Sequence, residues 1–341
     1  MEHTRSVASD RPRQVDGAVA WEVVAGLGQR MAATATAFLD ALDAGQRERA
    51  AFAFAAEARR DWDYRPRNRP GLPLRAMGEA QRALAWKLVD LSLSAEGAAK
   101  ARGVLALEAI LQERTVNKAF RDPLNYALAV FGTPGGEPWA WRFEGHHVCL
   151  TLTLVPGVGI AATPHFFGAN PHSGRVVPDG HGRLASVLEQ ESALAFAIIG
   201  GLGERERQRA TIAAEAPPDF LTGPGPGRER SLHVPVGLTL DEMPAEQHNR
   251  ALALLETFFG HLRPDLAQAV TARVRAAGLG GIRFAWAGAT ELGRLHYYRF
   301  HGPTLLIEYD RTDTDHAHSV WHDPSNHFGE DHLRRHRETD H

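Results

Sequence analysis

One cysteine in 341 residues, Cys149, excludes an internal disulfide, so nothing in the chain calls for an oxidising compartment. There is no run of ~18–20 uncharged apolar residues of the kind that spans a bilayer. The first residues carry Asp10, Asp16 and three arginines with no apolar stretch before Trp21, which is not the pattern of a signal peptide. No strong charge of either sign is present. The formal net charge is −3, too small to attract nucleic acid or an anionic membrane over distance. These absences point to a cytoplasmic protein that handles a small molecule, with neither nucleic acid nor membrane as partner. The H-E-x-x-H, G-x-x-x-x-G-K-[ST] and G-x-S-x-G signatures are missing too. Gly200-Gly-Leu-Gly203 follows a helical run, which is wrong for a dinucleotide fold.

What the chain has in excess is histidine: 18, against 5 tyrosines and 4 methionines. They are dispersed, and two clusters stand out. One is Glu144-Gly-His146-His147. The other is His316-Ala-His318. Neutral imidazole is the commonest protein ligand of transition metals. An H-x-H triplet in a strand puts both rings on one face, since side chains alternate with period two.

Hydrophobic residues make up 43% and charged residues 23%, ordinary for a globular chain that buries a sizeable core. Residues 1–17 and 337–341 are polar tails, the first expected to be disordered. From Val19 to about Arg59 the apolar spacing predicts helix, broken at Asp43-Ala-Gly45. Prolines 66, 70 and 73 make the next segment extended. Helices are expected over 78–91 and from Ser94 to about Gln112, completing a helical part of about 18–120.

The sheet-bearing part, about 121–336, opens with Trp139 to Val155, one long strand or a hairpin. Ile160–Phe167 is its expected partner after the turn Pro156–Gly159. Residues 168–183 form a glycine-proline loop. Helices follow over 184–200, a short one near 201–209, then 243–259 and 264–277, with a proline-glycine linker at 217–227. Strands are expected at 282–286, 296–300, 304–309 and 316–321. No internal repeat and no low-complexity tract is evident. Because strands do not alternate singly with helices, the fold class is α+β: a helical N-terminal layer packed on a mixed or mainly antiparallel sheet. The C-terminal strands are expected to join those at 139–167, which would bring the two histidine clusters together.

Several runs then resemble one family. Asp61-Trp-x-Tyr64, Arg121-Asp-Pro123, Trp139-x-Trp-Arg-Phe-Glu-Gly-His-His147, Pro164-x-Phe166-Phe-Gly168-Ala-Asn170-Pro171, Phe284-x-Trp286-x-Gly288, Ile307-Glu-Tyr-Asp310, His316-x-His318-Ser-Val-Trp321 and Phe328-Gly-x-Asp331 occur in that order. The ordered set resembles the bacterial and fungal family known as domain of unknown function 3500, over about residues 30–336. The resemblance implies one full-length domain, 18–336, and brings no catalytic residue with it. It departs from the expected pattern at His322-Asp323, where Arg-Asp is expected, and at Asn326-His327.

The candidate site is therefore built from the histidines. His146 or His147, with His316 and His318, would bind one divalent transition ion, and His336 on a C-terminal helix is a further candidate ligand. Three protein ligands leave an open coordination position, as catalytic metals require. Glu144 and Glu308 are candidate general bases, each within a few residues of a proposed ligand. Arg142 is a candidate anchor for an anionic substrate, and Asn170 a second substrate contact. The reading is a metal-dependent enzyme acting on a small molecule, with hydrolysis favoured. Zinc, copper and iron all suit imidazole, so a copper- or iron-dependent oxidoreductase stays open, as does a non-catalytic protein that binds a small ligand.

Overall fold

The fold was analysed in a computed structural model, which describes residues 18–115, 121–174, 186–313 and 315–339. The expected tail 1–17, His181, most of the loop's second half and His341 lie outside the described residues.

The helical start is α1 (Ala18–Asp40) and α2 (Ala44–Ala50). In α1, Val24, Leu27, Met31, Ala35 and Phe38 recur at helical spacing and are all buried. Asp43 stops one helix and starts the next: its carboxylate accepts the Gln46 amide at 2.8 Å, while the Gln46 side chain accepts the Asp43 amide. The expected helix up to Arg59 does not continue. Ala51-Phe52 is instead strand β1, parallel to Val130-Phe131, with Phe52 stacked on Phe131 at 5.3 Å. Tertiary pairing overrides local periodicity there.

Next come β2 (Leu72–Pro73), α3 (Glu79–Asp90), α4 (Ala95–Arg114), β3 (Ala127–Phe131), β4 (Trp139–Gly145), β5 (Val148–Val155), β6 (Gly159–Ala161) and β7 (His165–Ala169). The second stretch runs α5 (Glu189–Gly201), α6 (Glu204–Ala210), β8 (Thr211–Ala213), β9 (Leu238–Thr239), α7 (Ala245–Gly260), α8 (Pro264–Ala277), β10 (Arg283–Gly288), β11 (His296–Gly302), β12 (Leu305–Asp313), β13 (His316–His322) and α9 (Glu330–Thr339). Trp139–Val155 is thus a hairpin. Among the described residues the thirteen strands join one sheet whose main path runs β1-β3-β4-β5-β7-β13-β12-β11-β10-β8, with β2, β6 and β9 paired beside β3, β5 and β10, and β7 pairs antiparallel with β13. The class is α+β.

The sheet has two unlike faces. Phe143, Leu150, Phe167, Tyr309 and Trp321 point into the main core with the helices. Alternate residues, Cys149, Phe166, Tyr297 and Val320, meet Trp62, Tyr64, Phe220 and Phe328 from two long loops and the C-terminal segment.

The strand order is a palindrome, and this uncovers a repeat that sequence comparison along the chain did not suggest. Exchanging β1, β3, β4, β5 and β7 for β8, β10, β11, β12 and β13 leaves the order unchanged. Leu72 pairs with Leu128, and Leu238 with Phe284. The Leu74 amide donates to Tyr126 O at 2.8 Å, and the Leu240 amide to Ile282 O at 2.9 Å. Gly71-Leu-Pro-Leu-Arg-Ala-Met77 answers Gly237-Leu-Thr-Leu-Asp-Glu-Met243, and Arg142-Phe-Glu-Gly145 answers Arg299-Phe-His-Gly302. Reciprocal bonds, Ser94 N to His261 O and Arg263 N to Ser92 O, link the two helical pairs. Two similar halves, about 44–169 and 204–322, therefore meet around a pseudo-two-fold axis between β7 and β13. Among the described residues no helix is long and apolar enough to cross a membrane.

Candidate metal centre

The two histidine clusters meet where β5, β7 and β13 lie side by side. His146 and His147 form the two-residue turn between β4 and β5. His147 has φ of +64°, the left-handed region that costs a non-glycine residue about 1–2 kcal/mol. Its surroundings impose that conformation. The His147 amide donates to Tyr64 O at 3.0 Å, and its carbonyl accepts from the Gly168 amide at 2.8 Å. Gly168 is needed there, since a Cβ would lie 2.6 Å from His147 Cγ. Gly145 allows the other approach: the ring of Tyr126 occupies the place of its missing Cβ, and Tyr126 OH donates to His146 O at 2.7 Å.

Strand β13 brings the other two histidines. His318 sits opposite Gly168, and His316 one residue beyond Ala317 on the same side. Nε2 of His316 is 2.9 Å from Nε2 of His147, and the rings of His147 and His318 are 5.1 Å apart. One nitrogen from each of His147, His316 and His318 lies within 4.8 Å of the others. Imidazoles bound tetrahedrally at ~2.0–2.1 Å from one metal sit roughly 3.3 Å apart, and the His147–His316 separation of 2.9 Å is close to that spacing.

The environment sets the protonation of each ring differently. His147 is fully enclosed, and burial followed by the neighbouring His146 and His318 pushes it well below the ordinary histidine value. Burial and His318 likewise lower His316 to about 4. Both imidazoles are therefore neutral at pH 7. His318 differs: burial lowers it, but Asp310 and Asp219 outweigh that and raise it to about 9. Its Nδ1 lies 3.2 Å from Asp310 Oδ1 and 3.2 Å from Asp219 Oδ1, while its buried Nε2 has no hydrogen-bond partner. A carboxylate holding one nitrogen and leaving the other open is the usual outer arrangement of a ligating histidine. Asp219, Asp310 and His318 form a second convergent group sharing that ring.

Behind the cluster, His146 stacks on His147 with centroids 3.7 Å apart. Its Nδ1 is 2.5 Å from Glu108 Oε2, and Arg121 contacts the same ring. Burial lifts Glu108 to about 7 against the pull of Arg121 and Arg69. At the front, Tyr64 OH donates to Asp219 Oδ2, whose side chain is 42% exposed at the rim.

The other sequence candidates lie as follows. Glu308 is two residues from Asp310 on the same side of β12. It accepts from Leu221 N at 2.8 Å, Thr222 N at 3.1 Å, Thr222 Oγ1, and Tyr297 OH at 2.7 Å. It thereby clamps the loop that carries Asp219. Glu144 is buried against Arg142, Arg69 and Arg67 at 2.8, 3.0 and 3.6 Å. Arg142 also donates to Arg59 O and is 1% exposed. Asn170 directly follows β7, just before Pro171. His336 lies on α9, 3.4 Å from Glu137, outside both convergent groups. Asp219, Tyr64 and Glu108 were not singled out as site residues by sequence. Glu108 had one readable signal, an acid among Leu105, Leu107 and Ile110 on a helix.

The cluster draws on both halves, His147 from the first and His316 and His318 from the second, and it is not repeated about the pseudo-axis. In the turn between β11 and β12, Pro303-Thr304 stands where His146-His147 stands between β4 and β5.

With this geometry in view, the sequence comparisons are decisive for kinship. A family model described as Protein of unknown function (DUF3500) matches residues 26–330. The chain belongs to that family. No curated protein matches it, and no solved structure does. The DUF3500 chain therefore carries a histidine group that could hold a metal, and no named relative supplies a reaction.

Proposed function

We propose that this DUF3500 protein is a metal-dependent enzyme acting on a small molecule, with His147, His316 and His318 as the ligands of one divalent transition ion. The observation that carries the reading is the buried Nε2 of His318, which has no hydrogen-bond partner, on a ring grouped with the neutral imidazoles of His147 and His316 while carboxylates hold its Nδ1. Three imidazoles with no thiolate or thioether leave a position open for substrate, and hydrolysis is the favoured chemistry. Zinc in such a setting acts as a Lewis acid and lowers the pKa of a water to about 7.

The chain's own residues then divide the work. Asp310, fully buried, orients His318. His146, tied to Glu108, backs His147. Asp219, at the solvent-facing rim and bonded by Tyr64 OH, is the carboxylate open to an incoming substrate and takes the base role. Glu308 and Glu144, the bases suggested by sequence, act at one remove: Glu308 holds the Asp219 loop, and Glu144 neutralises buried arginines.

The test is a panel of p-nitrophenyl esters, phosphates and phosphodiesters with zinc-loaded protein and the Asp219→Asn variant. Turnover of one class, lost about 10²-fold or more in the variant while the metal is retained, supports the reading. Preferential retention of copper or iron, with oxidation of a reducing substrate, would support the oxidoreductase alternative. Metal retained without any turnover would leave a binding protein.

A further inference from the structure

On the opposite face of the sheet from the histidines lies a cavity of about 360 Å³, between α1, α8, β6 and the end of β13. We propose that it is a separate binding site for a neutral, mainly apolar small molecule that carries a hydrogen-bond acceptor. Its volume falls in the ~300–1,000 Å³ range of small-molecule sites. Val23, Ile160, Ala269 and Val270 supply apolar walls.

Two polar side chains line the cavity with unmet hydrogen-bonding capacity. Trp321 is 2% exposed and its Nε1–H has no acceptor. His332 is 3% exposed and its Nδ1 has no partner. Buried polar groups are normally satisfied, so each marks a place where a ligand or ordered water belongs. Burial also holds His332 neutral at pH 7, with a value near 3.

The lining charge is already cancelled. Arg273 spends its guanidinium on Asp323 at 2.8 Å, Asp331 at 3.3 Å and Ser325 at 2.8 Å. A charged ligand would find no free counter-ion there and would be desolvated without return. A neutral one can bury its body against the alanines and valines and accept a hydrogen bond from Trp321. The site is independent of the metal reading. Trp321 points to the helical face, whereas His318, three residues earlier, points to the other.

The probe is Prodan, a neutral naphthyl ketone whose emission moves to the blue in apolar surroundings. The full chain should give a saturable, one-to-one blue shift. Ala269→Phe, which fills the cavity, should weaken binding at least about 10-fold. Ala272→Phe, at an exposed lining position, should do the same if Ala269→Phe fails to fold. Trp321→Phe keeps the bulk and removes the donor, and should weaken binding roughly three- to ten-fold. The His316→Ala/His318→Ala variant should bind Prodan as well as the wild type, which keeps this claim apart from the metal centre. No saturable shift in the wild type, or binding unchanged in the filled variants, would overturn the proposal.

Discussion

At the scale of single residues, the proposed metal centre depends on positions that would touch no ion. Asp310 holds His318 by Nδ1, so Asp310→Asn should cost 10–100-fold in metal affinity while the fold persists. Competition titration with a chelator would measure this, and unchanged affinity would remove Asp310 from the account. Gly168→Ala drives a methyl into His147, and the strand must move or the ring must leave. The expected result is about 1–3 kcal/mol of lost stability together with weakened metal binding. Denaturant melts and metal titration on the same preparation would separate the two effects.

His316 and His318 stood out as candidates because H-x-H on a strand is a local pattern, and His146 or His147 because they form an adjacent pair; that the pair makes the turn between β4 and β5 was not readable. Asp219 did not stand out, because it lies in a proline-glycine stretch with no periodicity, and only tertiary folding brings it to His318. The φ of His147 was equally invisible: it is imposed by Tyr64 and Gly168, residues far away in sequence.

At the scale of elements, helices long enough to show a 3.6-residue stripe and strands long enough to alternate were readable. The expected 264–277 helix matches α8, and 316–321 became β13. Strands β1, β2, β8 and β9 have only two or three residues, too few for any period. β3, Ala-Leu-Ala-Val-Phe, is buried throughout and shows no alternation.

The helices are joined by a buried ionic contact that sequence also hides. Glu191 on α5 lies 2.8 Å from Lys100 on α4 and 3.2 Å from His261 at the end of α7. Burial alone would raise its carboxyl; Lys100 and His261 outweigh that and bring it to about 2. The folded value is below the ordinary one of 4.5, so this stabilisation is complete above pH 4.5 and fades as pH falls toward 2. Glu191→Gln should destabilise by about 3 kcal/mol at pH 7, because it leaves Lys100 buried without its charge partner. Urea melts should show the gap between variant and wild type closing as the pH falls from 4.5 towards 2. A gap that stays constant with pH would contradict the assignment.

At the scale of the whole molecule, two similar halves share one sheet, and neither has a separate core. The β7–β13 pairing and the reciprocal Ser92–Arg263 and Ser94–His261 bonds cross the pseudo-axis. Unfolding should therefore be one cooperative transition, with tryptophan fluorescence and far-ultraviolet circular dichroism coinciding. Two resolved transitions would show that the halves melt independently. The repeat escaped sequence reading because the halves share only short runs, such as Gly-Leu-x-Leu-x-x-Met and Arg-Phe-x-Gly, at uneven spacing. The shared architecture places a two-residue turn on each side of the axis, His146-His147 in one half and Pro303-Thr304 in the other.

The central claim is that the His146-His147 turn and β13 form one metal site. Elemental analysis by mass spectrometry of untagged protein, beside the His316→Ala/His318→Ala variant, tests it most directly. The account predicts close to one equivalent of zinc, copper or iron per chain in the wild type and its loss in the variant. Wild-type protein that holds no metal after reconstitution, or a variant that keeps the full equivalent, would contradict it.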